Sequence, residues 1–461
     1  MVRLPKMGVQ RARKRKEESR SKYVSIAIAF LMMVVIVLGG AMLSDANYSS
    51  SASDYRTRSA EGWSEDVRIS YNSTADQEPA IAVEGEVVHI VWRSTWFGGQ
   101  IFYTRSNDAG ETWDEPVMIG PLDYGCLRPD IAVNGDDVHV VWDNNNASAR
   151  EIRYLRSVDG GDTWFTERMI SSDDGNNSLG PKIAVSEDGM DVHVVWVDER
   201  HADDSSPPNT EIYYNRSHDG GLTWEGEVRL TEADYASPVG GITVEGHTVH
   251  LVWYDERSGI FDVYYRRSID NGATWEDESV LADSSNWDVG PDVAVWDGHV
   301  HAIWSERLSG LEYTIYHRRS IDGGITWESP QKIVNSNTSR STGLDVDGNI
   351  IHVTFHDWRS DIGEVYYVNS TDNGNIWNPE LRLTEEDGHH SGGSKIAGEE
   401  GKIHVVWVDE RHESKEIYYK RCPGFINVPE FGHVIVPVIS IIVVYICFIF
   451  NQKKKENTKG E

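Results

Sequence analysis

The chain has 461 residues, 43 of them basic and 74 acidic, and a net charge of −31, with 17 tryptophans, 20 tyrosines, 41 glycines and only three cysteines. That acidity excludes the basic footprint of a nucleic-acid binder, and three cysteines exclude a disulfide-dense scaffold. A chain of this length can hold two or three average domains or a single repeat array, and residues 60–425, aromatic, Gly-rich and without helical periodicity, read as all-β with many turns.

Residues 1–23 carry nine basic and two acidic side chains, and the twenty residues Val24 to Leu43 carry no charge. The apolar run is long enough to span a bilayer with its N-terminus inside, so 24–43 is expected to be a transmembrane anchor. A cleaved signal peptide is the competing reading, because Gly39, Gly40 and Ala41 close the run. Residues 44–60 follow as a linker.

From there one phrase recurs: an apolar residue, His, two mostly apolar residues, then an aromatic. It begins as Val88-His89-Ile90-Val91-Trp92 and returns at His139, His193, His250, His301, His352 and His404, at intervals of 50, 54, 57, 51, 51 and 52 residues. Upstream of each lies a strand signal such as Ile81-Ala82-Val83, and downstream another such as Ile212-Tyr213-Tyr214. Next comes Ser-x-Asp-x-Gly-x-Thr-Trp, complete at Ser106 to Trp113, Ser157 to Trp164, Ser217 to Trp224, Ser268 to Trp275 and Ser320 to Trp327, with Ile376 in place of Thr in a sixth copy, Ser370 to Trp377. The Asp can accept hydrogen bonds from its own turn, Gly supplies positive φ, and Trp covers the hairpin end. A further strand follows each box.

The octapeptide resembles the Asp-box (BNR) repeat of sialidases and related propellers, and the resemblance covers about residues 60–425. Together with the four strand signals per period it implies a seven-bladed β-propeller of four-stranded antiparallel blades. We label the strands A (Ile-Ala-Val), B (His-containing), C (Tyr-Tyr) and D (after the box). Glu61 to Ile69 looks like the end of a box plus a lone strand D, and Ile417 to Cys422 like a strand C without its box. The N-terminal strand should therefore complete the last blade and close the ring, within a propeller of 61–425. Catalytic sialidase domains generally have six blades. A WD40 propeller fits less well, since the period is too long and Asp boxes are foreign to it.

After a linker at 426–433, Val434 to Phe450 forms a second apolar run, and 451–461 is basic again. The sequence thus predicts flanking transmembrane helices with the propeller on the extracellular side of the cell membrane. Val428-Pro429-Glu430-Phe431 ahead of this run resembles the PEF-type sorting signals of archaeal surface proteins, which implies replacement of the tail by a lipid anchor. Without the two tails (nine basic and two acidic, four basic and two acidic residues), 30 basic and 70 acidic residues remain, a core net charge near −40. Seven Asn-x-Ser/Thr sequons permit glycosylation of an exported domain.

In an antiparallel blade the A-to-B and C-to-D turns share one face, and the B-to-C and D-to-A loops share the other. Both tethers should leave from the Asp-box face, which would look toward the membrane. Cys126 falls on the opposite side from Cys422, so no disulfide is expected between them.

One histidine per blade repeats a structural position and does not converge on one metal ion, so packing between sheets is expected. No cofactor is expected; the acidic surface suits Ca2+, but no ligand set for it can be assigned. Acidic residues beside Arg after strand B, as in Asp198-Glu199-Arg200, Asp255-Glu256-Arg257, Glu306-Arg307, Asp357-Trp358-Arg359 and Asp409-Glu410-Arg411, predict an inter-blade ion-pair network. The family resemblance implies an Arg-Ile-Pro motif, an arginine triad and a Tyr/Glu nucleophile pair if the chain is catalytic. Arg68-Ile69-Ser70 lacks the Pro, and the triad and the Tyr/Glu pair cannot be assigned.

What varies between blades points to a ligand. On the face opposite the boxes the non-repeated residues are Arg93, Trp96, Phe97, Tyr124, Arg128, Tyr235, Trp287, Asp288, Arg340, His389 and His390. Aromatic and polar groups at a propeller mouth suit glycans or peptides. The expectation is a cell-surface recognition or scaffold propeller binding extracellular glycans or proteins there, with a sialidase-like glycoside hydrolase as the alternative.

Overall fold

The computed structural model describes residues 62–424 apart from 72–73, 122–124, 147–148, 203–208, 234–235 and 311. Among these, 28 strands form seven four-stranded antiparallel sheets. Blade 1 runs A (Asp76–Glu84), B (Val87–Ser94), C (Gln100–Ser106) and D (Val117–Met118). Blades 2 to 6 repeat it, their A strands beginning at Cys126, Ser178, Val239, Trp287 and Ser339. Blade 7 takes Ser391–Glu399, Lys402–Asp409 and Glu416–Cys422 as A to C and Val67–Arg68 as D, with Val67 opposite Tyr419 and Arg68 opposite Tyr418. The split blade expected from the two ends of the repeat is present. Each A strand packs against those of both neighbouring blades, so the A strands form the inner ring.

The B strands read as nearly continuous apolar runs because neighbouring blades cover both of their faces. Trp92, Trp142, Trp196, Trp253 and Trp407 are fully buried. Each removes roughly 150–250 Å² from water, worth about 4–6 kcal/mol at 25 cal/mol/Å² as an upper bound. The core is divided into seams between blades. One joins Val91, Ile101 and Tyr103 of blade 1 to Ile131, Val140 and Trp142 of blade 2, and the closing one joins Val406, Ile417 and Tyr419 to Val88, Ile90 and Trp92.

The repeated histidines work inside these seams. His89, His139, His193, His250, His352 and His404 each place Nδ1 2.6–2.8 Å from a tyrosine hydroxyl on their own strand C, namely Tyr103, Tyr154, Tyr214, Tyr265, Tyr367 and Tyr419. The histidine bond thus lies within one sheet, and the tyrosine carries the link to the next. Tyr154 stands edge-on to Trp224 at 4.9 Å, and Tyr419 to Trp113 at 4.7 Å. In blade 5 His317 replaces the tyrosine, sits 3.0 Å from His301 and meets Trp377.

In the boxes, Asp108 accepts Thr112 N–H at 2.8 Å and Thr112 Oγ1–H at 2.6 Å, and Ser106 Oγ accepts the Gly110 N–H at 2.8 Å. These donors hold the carboxyls of Asp108, Asp159 and Asp322 at about 2. The Asp-x-Arg segments are also local. Arg200 pairs with Asp198 at 2.7 Å and Glu227 at 2.8 Å, and Arg359 with Asp357 and Glu380, all within one blade. The expected inter-blade network is corrected accordingly: the Arg lies over the strand C tyrosine of its own sheet, as Arg200 does over Tyr213 at 4.1 Å. Arg68, of the Arg-Ile-Ser segment, pairs with buried Glu416 at 2.8 Å, a structural role.

The apolar runs 24–43 and 434–450, the sorting-signal segment 428–431 and Cys447 lie outside the described residues. Among the described residues no helix is long and apolar enough to cross a membrane. Cys126 and Cys422 are buried thiols in different seams.

A Cβ on Gly221, at φ +83°, would come 1.7 Å from the Tyr154 hydroxyl, whereas one on Gly226, at φ +111°, would meet nothing within 4 Å. Gly221→Ala should cost roughly 3 kcal/mol or more and Gly226→Ala only about 1, read by thermal and urea melts. Burial, aided by the charge of Arg216, lowers the His193 imidazole to about 3. An unfolded histidine takes its proton near pH ~6.5, so the stability this residue provides is complete above that pH and lost as pH falls toward 3. The deficit of His193→Gln relative to wild type should shrink as pH is lowered from about 7 to about 4; a constant deficit would refute it.

Candidate ligand-binding site

All seven A strands break register with the B strand at the same place, for example between Gln77 and Ala80, Leu127 and Asp130, and Gly392 and Lys395. Such a bulge leaves one residue unpaired and re-aims its neighbours. Pro follows in four blades as Pro79, Pro129, Pro181 and Pro291, where the lack of an N–H costs nothing. The bulge residue has φ near +60° as Gly180, Gly290 and Gly393, yet blades 1 and 2 hold Glu78 at 57° and Arg128 at 50°. A side chain in that region costs about 1 kcal/mol or more, so the position keeps Glu and Arg against a backbone preference for glycine.

The bulges line a cavity of about 760 Å³ at the axis, opening on the face opposite the boxes. This lies within the roughly 300–1,000 Å³ typical of ligand sites. Its charged lining comprises Glu78, Asp130, Asp292 and Glu410 against Arg128, Lys182, Lys395 and Lys415, an even balance in a chain of 74 acids and 43 bases.

At blades 1 and 2 the lining residue Arg128 donates from Nε and Nη2 to the buried Asp143, outside the lining, at 2.9 and 2.8 Å, and its backbone N–H donates to the lining residue Glu78 at 2.8 Å. Arg93 stands 4.0 Å from Glu78, and Arg150 3.9 Å from Asp143. Three guanidiniums thus surround two carboxylates. Deeper in, Asp130 and Lys182 are 3.8 Å apart. Burial pushes the Asp292 carboxyl up and the Lys395 ammonium down, while Asp292 and Lys395 draw each other back toward the charged forms.

Across blades 5 to 7, Arg340 covers the Tyr313 ring of blade 5 at 4.0 Å and Trp358 at 6.0 Å. His356 meets Trp358 edge-on at 4.3 Å, with His390 6.5 Å from His356. Burial first, then His390 and Arg340, lowers His356 to about 4. Its Nδ1 is buried without a hydrogen-bond partner.

The residues expected from sequence therefore divide. Arg93 and Arg128 meet through Glu78, and Arg340 and His390 meet around Trp358 and His356. Trp287 is part exposed beside Phe261 and Arg307, away from the cavity lining. Trp96 is exposed in the short 3-10 turn Trp96–Gly98 between strands B and C, also off the lining. Tyr124 and Tyr235 lie outside the described residues, as does the side chain of Phe97. His389 is exposed with its backbone N–H on Asp387. Asp288 is corrected from a surface contact to an interior group: strand alternation turns Trp287 outward and Asp288 inward, where it accepts from Trp304 Nε1 at 3.1 Å and Ser284 N at 3.2 Å.

Sequence reasoning passed over Glu78, Asp143, Arg150, Asp130, Lys182, Asp292, Lys395 and His356. Aligning the blades on the apolar residue of strand A exposes the signal, because the position before it reads Ala80, Asp130, Lys182, Gly241, Asp292, Gly343 and Lys395.

A family model for a BNR repeat-like domain matches residues 143–405. The chain belongs to the BNR repeat-like family. Among solved structures, this BNR propeller resembles a protein of unknown function from Dyadobacter fermentans (16% identity, TM-score 0.51, covering 79% of this chain and all of that one). It also resembles a polysaccharide lyase, an ulvan lyase of family PL25 bound to a GlcA-Rha3S chain (12%, TM-score 0.55, 77% and 95%), and, at TM-score 0.47, the Hadza microbial sialidase Hz136 (15%, 74% of each chain). At these identities the likeness shows the fold. No curated protein matches.

Asp288 carries a prediction of its own. It sits opposite Glu306 where blades 3, 6 and 7 set Ser against Asp, as Ser178 opposite Asp198. Burial first, then Glu306, pushes its carboxyl up to about 7. A raised carboxyl stabilises the fold below the unfolded value near ~3.9 and loses that contribution as pH rises to about 7. Asp288→Asn should gain on wild type between those pH values, by roughly 1–3 kcal/mol at pH ~8. Parallel melting curves at the two pH values would contradict this.

Proposed function

We propose that this BNR propeller is a recognition protein held on the outside of the cell, binding an acidic glycan in the axial cavity of the face opposite the Asp boxes. The observation that carries the reading is Arg128, which lines the cavity with Glu78, while Asp143, Arg93 and Arg150 stand beside this pair outside the lining. Asp143 fixes Arg128 through Nε and Nη2, leaving Nη1 for a ligand oxygen. A planar fork suits the two oxygens of a carboxylate or sulfate, and His390 in the lining, with Trp358 beside it, offers an aromatic surface for a sugar ring. That several structural neighbours are named for acting on glycans agrees with this reading.

Recognition is preferred over hydrolysis because the lining acids are already committed. Glu78 accepts the Arg128 amide, Asp130 pairs with Lys182, and Asp292 accepts backbone amides. A Tyr/Glu pair does occur, Tyr316 beside Glu306, but neither residue lines the cavity.

The full chain should bind sialylated, uronic or sulfated glycans on an array in preference to neutral ones and release no sugar from fluorogenic sialosides or other glycosides. Arg93→Gln should weaken binding at least tenfold with an unchanged melting temperature. Turnover, or binding indifferent to that substitution, would overturn the proposal.

A further inference from the structure

The Asp-box face is not uniform. Each box turn is bonded to the A-to-B turn of its own blade, as Gly323 N–H to Gly298 O at 2.9 Å and Gly220 N–H to Met190 O at 2.9 Å, so both turns of a blade stand together at the tip. The tips of blades 1 and 2 carry exposed acids, Glu86, Glu111, Asp136 and Asp162, with Val158 and Phe165 of blade 2 also exposed. Those of blades 3 to 6 carry Leu222, Ile269, Trp296, Ile321, Ile325 and Ile376, with Ile325 65%, Ile376 70% and Trp296 50% exposed. Each box keeps its locking Ser, Asp and Gly; Leu222, Ile269, Ile321 and Ile325 occupy positions the turn leaves open, Ile376 replaces the box Thr and keeps only the backbone bond to Asp372, and Trp296 ends strand A of blade 5. Exposed apolar side chains repeated at the tips of blades 2 to 6, all on one face, mark an interaction surface.

We propose that these tips dock onto a lipid surface, with Trp296 at headgroup level and the isoleucines in the upper acyl region. This rests on the cell-surface reading above. Two features select lipid over protein. The apolar groups project singly from turn tips instead of lining a groove, and a fluid surface can close around isolated projections. Both ends of the described chain also emerge here: Ser64 N–H bonds Arg421 O at 2.8 Å at the box end of blade 7. Only eleven residues then separate Cys422 from the uncharged run that begins at Val434, a reach of at most about 40 Å. Aromatic residues such as Trp296 favour that interface.

The test uses the full chain reconstituted in phosphatidylcholine vesicles, with p-benzoylphenylalanine replacing Ile325, Ile376, Glu111 or Trp96 in turn, irradiation, and mass spectrometry of the labelled peptide. Lipid adducts at 325 and 376 at least fivefold above those at 96 and 111 are expected. A chain that stays with the vesicles but gives no adduct at 325 and 376, gives equal adducts at all four sites, or crosslinks to a second copy at 325 would overturn lipid docking while leaving the tether intact. A chain that washes off the vesicles at alkaline pH would overturn the tether reading, and this inference with it.

Discussion

The ring depends on one contact made at every seam, a strand C aromatic wedged between the histidine of its own blade and the box of the next. Tyr103, Tyr154, Tyr214, Tyr265 and Tyr419 reach the glycines Gly161, Gly221, Gly272, Gly324 and Gly110, and His317 reaches Gly374, each so closely that a Cβ would fall within 1.7–2.6 Å of the ring or its hydroxyl. The contact is heterologous, so it extends until the rotation closes. Closure takes both ends of the chain: Tyr419 seals blade 7 to blade 1 against Trp113, and Tyr367 seals blade 6 to blade 7 against Trp63. The Asp box therefore locks its own turn and presents a glycine and an indole to its neighbour.

With stability placed in the seams, the two ends of each blade are free to differ. At the axial end the bulge needs one left-handed residue and an amide that need not pair, and Gly-Pro satisfies both. Glu78 and Arg128, ahead of Pro79 and Pro129, keep the proline but meet the left-handed demand less cheaply. Their retention is intelligible if the side chains themselves are used, since strain of this kind persists where the surroundings hold it in place. Here Glu78 accepts the Arg128 amide and Asp143 holds the Arg128 side chain, so the strained pair is fixed on both sides.

Blade number, strand order and the split last blade were legible because His, box and strand signals recur with one period, and seven copies average out local ambiguity. The site was only half legible. Arg93, Arg128, Arg340 and His390 differ visibly from their counterparts and were found on that ground. Lys182 and Lys395 sit beside Ile-Ala in strands that otherwise look like consensus, and only the bulge reveals that this position faces the axis. Asp288 misled for the opposite reason: like Asp76 of blade 1 it stands buried where strand A of other blades has Ser, and it faces Glu306, so a local change of buried partners mimics functional variation. The Asp-x-Arg segments were assigned to the wrong partners because spacing shows which charges recur but not across which gap they meet.

The charge of the chain constrains how an acidic ligand could be held. A surface at −31 repels an anion at long range, but at about 0.1 M salt that field fades within roughly 10 Å. Steering is thus absent, and capture must come from contact. The arginine cluster fits that regime: three arginines against Glu78 and Asp143 leave one net positive charge, confined to blades 1 and 2. Asp143 neutralises much of Arg128 and in return fixes the plane of its fork. An arginine held in this way discriminates by geometry more than by charge. An acidic propeller can therefore bind an acidic sugar without becoming a general anion trap, because attraction begins only where the ligand already fits.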